Sequence, residues 1–510
     1  MQLLLAADLG TTAVKAMVIR ADGVVLAEAS QEIALQYPEP SFVELPLDTY
    51  WRAFAAAVRR CTTGLAKDAS QIAAIGLSVQ GETLVPCAAD GSPLMNAIVW
   101  LDNRAADEAR SLRDEFGDEE CYARTGQVSF VPTWPAAKLL WLRRHRADVF
   151  RATATFALLE DFFLHRLTGR FACEPSLTCS TAYWDITKQR WWDEMLGFIG
   201  ISAEQLPPVR QSGELLAPLL GPVADELGLS RDVAVCVGAL DQACAAFGAG
   251  NISEGTVSEN TGAALAICAT VDAPRFDGER RMPLHVHAVP GKYMLHTFST
   301  GGVVLRWFRD TFCREEIAVA ERLGLDGYEL LGRQAETVAP GCEGLTMLPH
   351  LQGAMAPEDN PDATGVFYGV TLRHSKPHFI RSIMEAVSCA IRRNLEVIED
   401  MGIGVAELRC TGGGASSALW CQIKSDLTHR PLRTLRISQA GCVGAAALAG
   451  IGSGLFADAQ DAVLRLVHDN RVYRPDASAA PAYDAAYDRY AGLYESLVPR
   501  FSADARPPSA

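Results

Sequence analysis

The 510-residue sequence has no Cys-x-x-Cys pair, although it contains 14 cysteines. They are scattered, several inside apolar runs such as Val235-Cys236-Val237 and Ile267-Cys268-Ala269. That is the pattern of buried thiols in a reducing compartment, not of disulfides or zinc. There is no Gly-x-x-x-x-Gly-Lys-Ser/Thr loop, which disfavours a P-loop kinase, and no convincing Gly-x-Ser-x-Gly elbow for a serine hydrolase. No uninterrupted apolar run is long enough to span a bilayer. Met1 to Gly10 lacks the basic n-region and long apolar core of a signal peptide. The expectation is a soluble, cytoplasmic protein without a membrane partner. Positive charge is scarce: 46 Lys and Arg stand against 61 Asp and Glu, a formal net charge of −15. Nucleic acid and acidic lipid are therefore disfavoured as partners.

What is present is ordinary globular composition, 49 % hydrophobic and 21 % charged. The chain is long enough for two or more domains. Gln2 to Ala7 reads as a buried strand ending in the polar turn Asp8-Leu9-Gly10-Thr11-Thr12. Ala13 to Ile19 reads as a second strand, Asp22-Gly23 as a hairpin turn and Val24 to Glu28 as a third strand, an antiparallel meander. Leu47 to Ala66 has the period of an amphipathic helix, and strands are expected at Ile72 to Ser78 and Ala97 to Trp100. Pro135 to Leu167 reads as helices alternating with loops, and Lys376 to Met401 as one long helix. A comparable opening recurs midway. Val233 to Val237 runs into Gly238-Ala239-Leu240-Asp241-Gln242, and Thr256 to Glu259 turns at Asn260-Thr261-Gly262-Ala263 into Ala264 to Ala269. The echo hints at two related halves, 1–250 and 251–497, with 498–510 as a flexible tail.

Five stretches carry groups suited to chemistry. The turn with Gly10, Thr11 and Thr12 offers N–H groups and hydroxyls to phosphate oxygens, and Asp8 suits Mg²⁺, directly or through water. A plain polar hairpin turn fits the same residues. Asn260-Thr261-Gly262-Ala263 is a similar turn; two such turns could clamp the terminal phosphates of a nucleotide. Gly412, Gly413 and Gly414 stand between the strand-like Glu407-Leu408-Arg409 and a helix from Leu419, where bare backbone can approach a ligand closely. Asp241, at a strand end, suits a general base that takes the proton of an attacking hydroxyl. It suits equally well an N-cap for a helix through Ala243 to Gly248. Gln80, Glu82, Asp102 and Arg104 follow two strands and suit a polyhydroxylated ligand; two solvated loops are the alternative. His285 and His287 have no evident third ligand and read as structural, and Trp191-Trp192 reads as packing.

Taken together, these stretches resemble the FGGY carbohydrate kinases, the family of glycerol kinase, xylulokinase, gluconokinase and ribulokinase, over about residues 3 to 497. Gly365-Val366-Phe367-Tyr368-Gly369-Val370, followed by His378-Phe379-Ile380-Arg381-Ser382-Ile383-Met384-Glu385, is similar to the family's C-terminal signature. Pro135, Lys138-Leu139, Trp141-Leu142 and Arg144-His145 resemble the N-terminal signature, from which Thr133 departs. Gly302 with Trp307-Phe308-Arg309-Asp310 resembles a further family segment. The resemblance implies an α/β fold of two actin-like (ribonuclease H-like) ATPase domains with ATP and substrate in the cleft between them. It implies ATP and Mg²⁺ as cofactors, with Asp8 serving the metal. Thr11, Thr12, Thr261 and Gly262 would contact the phosphates, Gly302 would belong to the nucleotide site, and Gly412, Gly413 and Gly414 would lie against the adenosine. Asp241 would be the catalytic base, beside a substrate set of Gln80, Gly81, Glu82 and Asp102. A homodimer is compatible with the family.

Gln80-Gly81-Glu82-Thr83 resembles the Gln-Arg-Glu-Thr of glycerol kinases, with Gly81 in place of the arginine that grips glycerol. That opposes glycerol and is expected to leave space for a longer substrate. Xylulokinases carry Gln-Met-His-Gly there, but Trp100-Leu101-Asp102-Asn103-Arg104 is similar to their Trp-Asn-Asp-Gly-Arg. The expected substrate is a ketopentose such as xylulose; a hexulose, a sugar acid and a four-carbon polyol stay open. Glu82 and Asp102 oppose an anionic sugar acid. A non-catalytic nucleotide or sugar sensor on the same fold is the alternative of another class, and it would not need Asp241.

Overall fold

Leu, Ala and Val fill the opening hairpin of the computed structural model, which describes residues 2–505. Leu3–Leu9 pairs antiparallel with Ala13–Arg20, which pairs with Val25–Glu32, the expected meander. Leu3–Leu9 also runs parallel to Ile72–Val79, so that Asp8 lies opposite Ser78 on one side and Lys15 on the other. The sheet order is Leu215–Pro218, Ala234–Cys236, Ile72–Val79, Leu3–Leu9, Ala13–Arg20, Val25–Glu32. The two-residue strand Ala239–Leu240 pairs with the end of Ile72–Val79. The central strands are buried on both faces, which is why they read as near-continuous apolar runs. The helix Leu47–Leu65 packs on Ala13–Arg20 and Val25–Glu32, while Ala440–Gly452 packs on Leu3–Leu9, Ile72–Val79 and the helix Asp241–Gly248.

A second sheet runs in the order Tyr293–Thr300, Ala264–Val271, Thr256–Thr261, Glu407–Thr411, Leu432–Leu435, Asp469–Tyr473. Its centre repeats the device of the first: Thr256–Thr261 is antiparallel to the next strand and parallel to Glu407–Thr411. The long helix Lys376–Asp400 packs against Ala418–Thr428.

The chain folds as two units. One comprises residues up to 252 with 270–294 and 439–468; the other comprises 253–269, 295–438 and the chain from 469 onward. A single cut at Gly250 therefore misses two segments that return to the first unit. The second of them holds Ala440–Gly452, an Ala- and Gly-rich helix, apolar nearly all round, that needs burial on every side. The expected tail also starts too early. Helix Ala480–Asp504 continues through 498–504 because Tyr483, Tyr487, Tyr490, Tyr494 and Phe501 recur on one buried stripe. Residues 506–510 of that expected tail lie outside the described residues. A strand, Thr155–Leu158, interrupts the region read as helices and loops and pairs with Leu84–Cys87; four residues are too few to show a period. All 14 cysteine side chains are buried and none is joined in a disulfide among the described residues. No helix among the described residues is long and apolar enough to cross a membrane.

Candidate active site

In the first unit, the turn after Leu9 is braced from three sides. Tyr50 donates its hydroxyl to the Gly10 carbonyl at 2.7 Å. Thr11 Oγ1 donates to Gln80 Oε1 at 3.0 Å and accepts from Trp100 Nε1 at 2.8 Å. Gln80 is only 2 % exposed, and its amide nitrogen reaches the Tyr50 hydroxyl at 3.5 Å. Gln80 thus holds the turn in shape instead of presenting itself to a sugar, and the Thr11 hydroxyl is engaged inside the turn. Thr12 remains exposed at its tip. Sequence reasoning missed Tyr50 because it lies inside a helix, and although Trp100 was quoted with the Asp102 segment, nothing local showed that its indole N–H reaches Thr11. The available signal was an aromatic ring with a polar handle beside a polar turn.

Asp8, at the end of its strand, accepts the Ser78 hydroxyl at 2.8 Å and lies 3.8 Å from Lys15 Nζ. Burial pushes its carboxyl up, while Lys15 and Ser78 pull it down. The side chain keeps 20 % exposure, so solvent reaches it. No group of three or more His, Cys, Asp or Glu side chains among the described residues could hold a metal ion. A single reachable carboxylate still suits Mg²⁺, which keeps several waters and is commonly held by one or two carboxylates together with phosphate oxygens.

Asp241 is the first residue of helix Asp241–Gly248; the N-cap is Leu240. The simple capping reading of Asp241 therefore does not hold. Its Oδ1 accepts the Gln242 N–H at 2.7 Å. Burial, then the negative charges of Asp8 and Glu82, push its carboxyl up to about 8. The three carboxyls thus belong to one electrostatic neighbourhood, and Tyr50 feels both Asp8 and Asp241. Glu82 sits in the left-handed region at φ 53° and shares a hydrogen bond with Ser180. Its backbone is pinned by Lys138, a fully buried lysine whose Nζ donates to the carbonyls of Glu82 (2.8 Å) and Val99 (2.9 Å). Burial pushes that ammonium well below the usual lysine range.

Two members of the expected substrate set are placed differently. Asp102 has no exposed surface, and its oxygens take bonds from the backbone of Val43 and Arg104 and from the Arg104 guanidinium. Arg104 also pairs with Glu44 at 2.9 Å and lies 3.8 Å from the centroid of the Phe42 ring and 5.0 Å from that of Trp141. A charge so fully paired has nothing left for a distal sugar hydroxyl. Gly81 is buried, and a Cβ there would stand 2.9 Å from Leu240 Cδ1. Leu240 therefore takes up the space immediately beside Gly81.

In the second unit the remaining nucleotide candidates do come together. Gly302 N–H donates to the Gly262 carbonyl at 2.9 Å. Gly412 has φ +74°, and a Cβ on it would stand 2.2 Å from Asn260 Oδ1 and 3.0 Å from the Thr261 carbonyl. Gly413–Ser416 forms a 3₁₀ turn rather than the loose loop three glycines could suggest. Gly262, Gly302, Gly412, Gly413 and Gly414 thus make a wall of backbone. Thr261 is 1 % exposed, and its hydroxyl is fully engaged: it donates to Glu259 Oε2 at 2.7 Å and accepts from Lys424 Nζ at 2.8 Å. It cannot offer that proton to a phosphate without giving up its bond to Glu259, whose other oxygen, Oε1, pairs with Lys424 at 2.6 Å. Neither residue of that pair stands in a recognisable motif, so sequence reasoning missed it.

Comparison with known proteins agrees with this architecture. The chain is 29 % identical over 505 residues to the autoinducer-2 kinase of Escherichia coli (strain K12), covering 97 % of this chain and 94 % of the relative. It is 28 % identical over 495 residues to the xylulose kinase of Bacillus subtilis (strain 168), covering 97 % of each. The crystal structure of gluconate kinase from Lactobacillus acidophilus superposes with a TM-score of 0.90 at 24 % identity, covering 99 % of this chain and 100 % of that one. Residues 3–248 match the N-terminal domain and residues 275–453 the C-terminal domain of one family. With two sheet-containing α/β units of the actin-like ATPase type, the chain belongs to the FGGY family of carbohydrate kinases.

Proposed function

We propose that the protein transfers the terminal phosphoryl group of ATP to a hydroxyl of a ketopentose such as xylulose. The observation that carries this reading is Asp241. It heads a helix beside Asp8 and Glu82, with its carboxyl raised to about 8, where it can take a proton from an alcohol near neutral pH. Phosphoryl transfer demands alignment and charge neutralisation more than covalent participation. Asp8 would hold Mg²⁺, whose charge would offset that of the transferring phosphoryl group. The turn at Thr12 and the backbone wall from Gly262 to Gly414 would serve the phosphates and the adenosine. Glu82 would orient the sugar through its hydroxyls.

Wherever Asp8, Glu82 or Asp241 is ionised, its charge would oppose a sugar acid by like-charge repulsion. Glycerol is opposed because Gly81 stands where a gripping arginine would be needed. The case for a longer substrate therefore rests on the missing charged fork, not on added room.

The test is ADP release with Mg-ATP across ketoses, aldoses, polyols and sugar acids. Stimulation by a ketopentose well above the other sugars is expected. A preference for glycerol or gluconate would overturn the substrate assignment. ATP binding without stimulation by any sugar would favour the sensor alternative.

A further inference from the structure

Asp241 receives a hydrogen bond from its neighbour Gln242, so its aim depends on the backbone that delivers it. That backbone is short of strand structure, since Ala239–Leu240 is only two residues long. It is gripped instead by buried side chains. Glu160 Oε1 accepts the Gly238 N–H at 2.6 Å. Ser176 Oγ accepts the Leu240 N–H at 2.9 Å and donates its own proton to Glu174 Oε1 at 2.6 Å. Glu174 is anchored in turn by the N–H groups of Ser176 (2.8 Å) and Leu177 (2.7 Å) and by the Ser212 hydroxyl (2.7 Å). Glu160, Glu174 and Ser176 have no exposed surface.

Folding alone gives little reason for this arrangement. Three carboxyls, Glu160, Asp161 and Glu174, are buried together, and Glu160 Oε2 has no hydrogen-bond partner among the described residues. An orphaned buried oxygen costs stability. What the cluster does supply is two fixed acceptors for the two amides on either side of Ala239, immediately before the catalytic carboxylate. A displacement of about 1 Å at a reacting group can cost about a hundredfold in rate.

We propose that Glu160 and Ser176 are positioning residues for Asp241, fixing through the Gly238 and Leu240 amides the direction from which its carboxylate meets the substrate hydroxyl. The proposal rests on Asp241 as the base. Glu160 acts as a neutral acceptor: burial and the charges of Glu174 and Asp161 hold its carboxyl well above the usual range. Glutamine can then replace it, because an amide oxygen accepts the same N–H.

The experiment compares E160A, E160Q, S176A and D241N by kcat and KM with the best sugar of the panel, alongside ATP affinity and thermal midpoint. E160A and S176A are expected to lower kcat about 10- to 100-fold with KM and ATP affinity within about twofold, and E160Q to stay within about threefold of the parent. If both alanine variants fail to fold, S212A, which removes one of the bonds anchoring Glu174, is expected to lower kcat about threefold at unchanged KM. Unchanged kcat in S212A would then overturn the proposal. A lower thermal midpoint in E160A and S176A with unchanged kcat per ATP-binding molecule would show a purely structural role and overturn it as well. Full activity in D241N would remove the base assignment and this proposal with it. Inactive D241N with fully active E160A and S176A would remove the positioning role alone.

Discussion

Replacing Asp241 by asparagine should stabilise the protein while removing its catalysis, and the size of the gain should depend on pH. The folded carboxyl stands at about 8 against the ordinary 3.8, for reasons of burial and the neighbouring Asp8 and Glu82 charges. A group raised on folding contributes stability that is fully present below 3.8 and lost as pH climbs to about 8, because the unfolded chain ionises first. At 1.36 kcal/mol per unit, the folded state carries a penalty of up to about 6 kcal/mol above pH 8; solvent at the half-buried carboxylate brings this to roughly 2–6 kcal/mol. At pH 5 the same arithmetic leaves about 1–2 kcal/mol. The replacement asparagine would keep an oxygen for the Gln242 N–H and carry no charge. Urea unfolding without nucleotide or Mg²⁺ is therefore expected to show D241N more stable than the parent at pH 8, and only slightly so at pH 5. Turnover should fall by about 10²–10⁴, the usual contribution of a general base. A D241N protein no more stable at pH 8 than the parent, or equally favoured at both pH values, would refute the electrostatic reasoning. Retained turnover would refute the role.

Removing Lys424 as K424M strands the Glu259 carboxylate in a fully buried site, which should cost about 3–5 kcal/mol in urea unfolding. Adding E259Q should recover part of that; a double variant as unstable as the sum of the two singles would show the pair is not coupled. His287 is held down to about 4 by burial, so its contribution is intact above its ordinary 6.5 and lost as pH falls towards 4. H287N should therefore remove about 3 kcal/mol of acid destabilisation between pH 7.5 and 4, read as a flatter stability profile. G81R must displace Leu240 and should cost roughly 1–3 kcal/mol in the unfolding midpoint, with L240A restoring most of it. A silent G81R would mean that the space beside Gly81 is not filled.

The sequence carried the fold further than it carried the site. The helices from Leu47 and Lys376 were legible because each has a clear period over many residues, and the opening meander because its apolar runs are bounded by polar turns. Thr155–Leu158 was hidden by its brevity, and the return of Ala440–Gly452 to the first unit is a tertiary fact without a local signal. Among the glycine candidates, 302, 412 and 414 have atoms within 3 Å of where a Cβ would stand, so the close approach there demands glycine itself. Gln80, Asp102 and Thr261 were polar candidates, but their letters do not say whether their hydrogen bonds are already taken. In the fold they are, by Thr11, by Arg104 and by Lys424 with Glu259. The Glu160 and Ser176 grip lay equally out of reach, since it joins residues far apart in the chain by single bonds to backbone.

The return of residues 439–468 to the first unit sets a timetable for the ribosome. Leu3–Leu9 and Ile72–Val79 emerge early, but the helix that packs against both, Ala440–Gly452, is made near the end. At about 5–20 residues per second the nascent sheet waits about 20–70 s for its last layer, with apolar surface uncovered meanwhile. A fragment ending at residue 250 would never receive that layer and should aggregate. A circular permutant opened before residue 439, which places 439–510 ahead of the first strand, would shorten the wait.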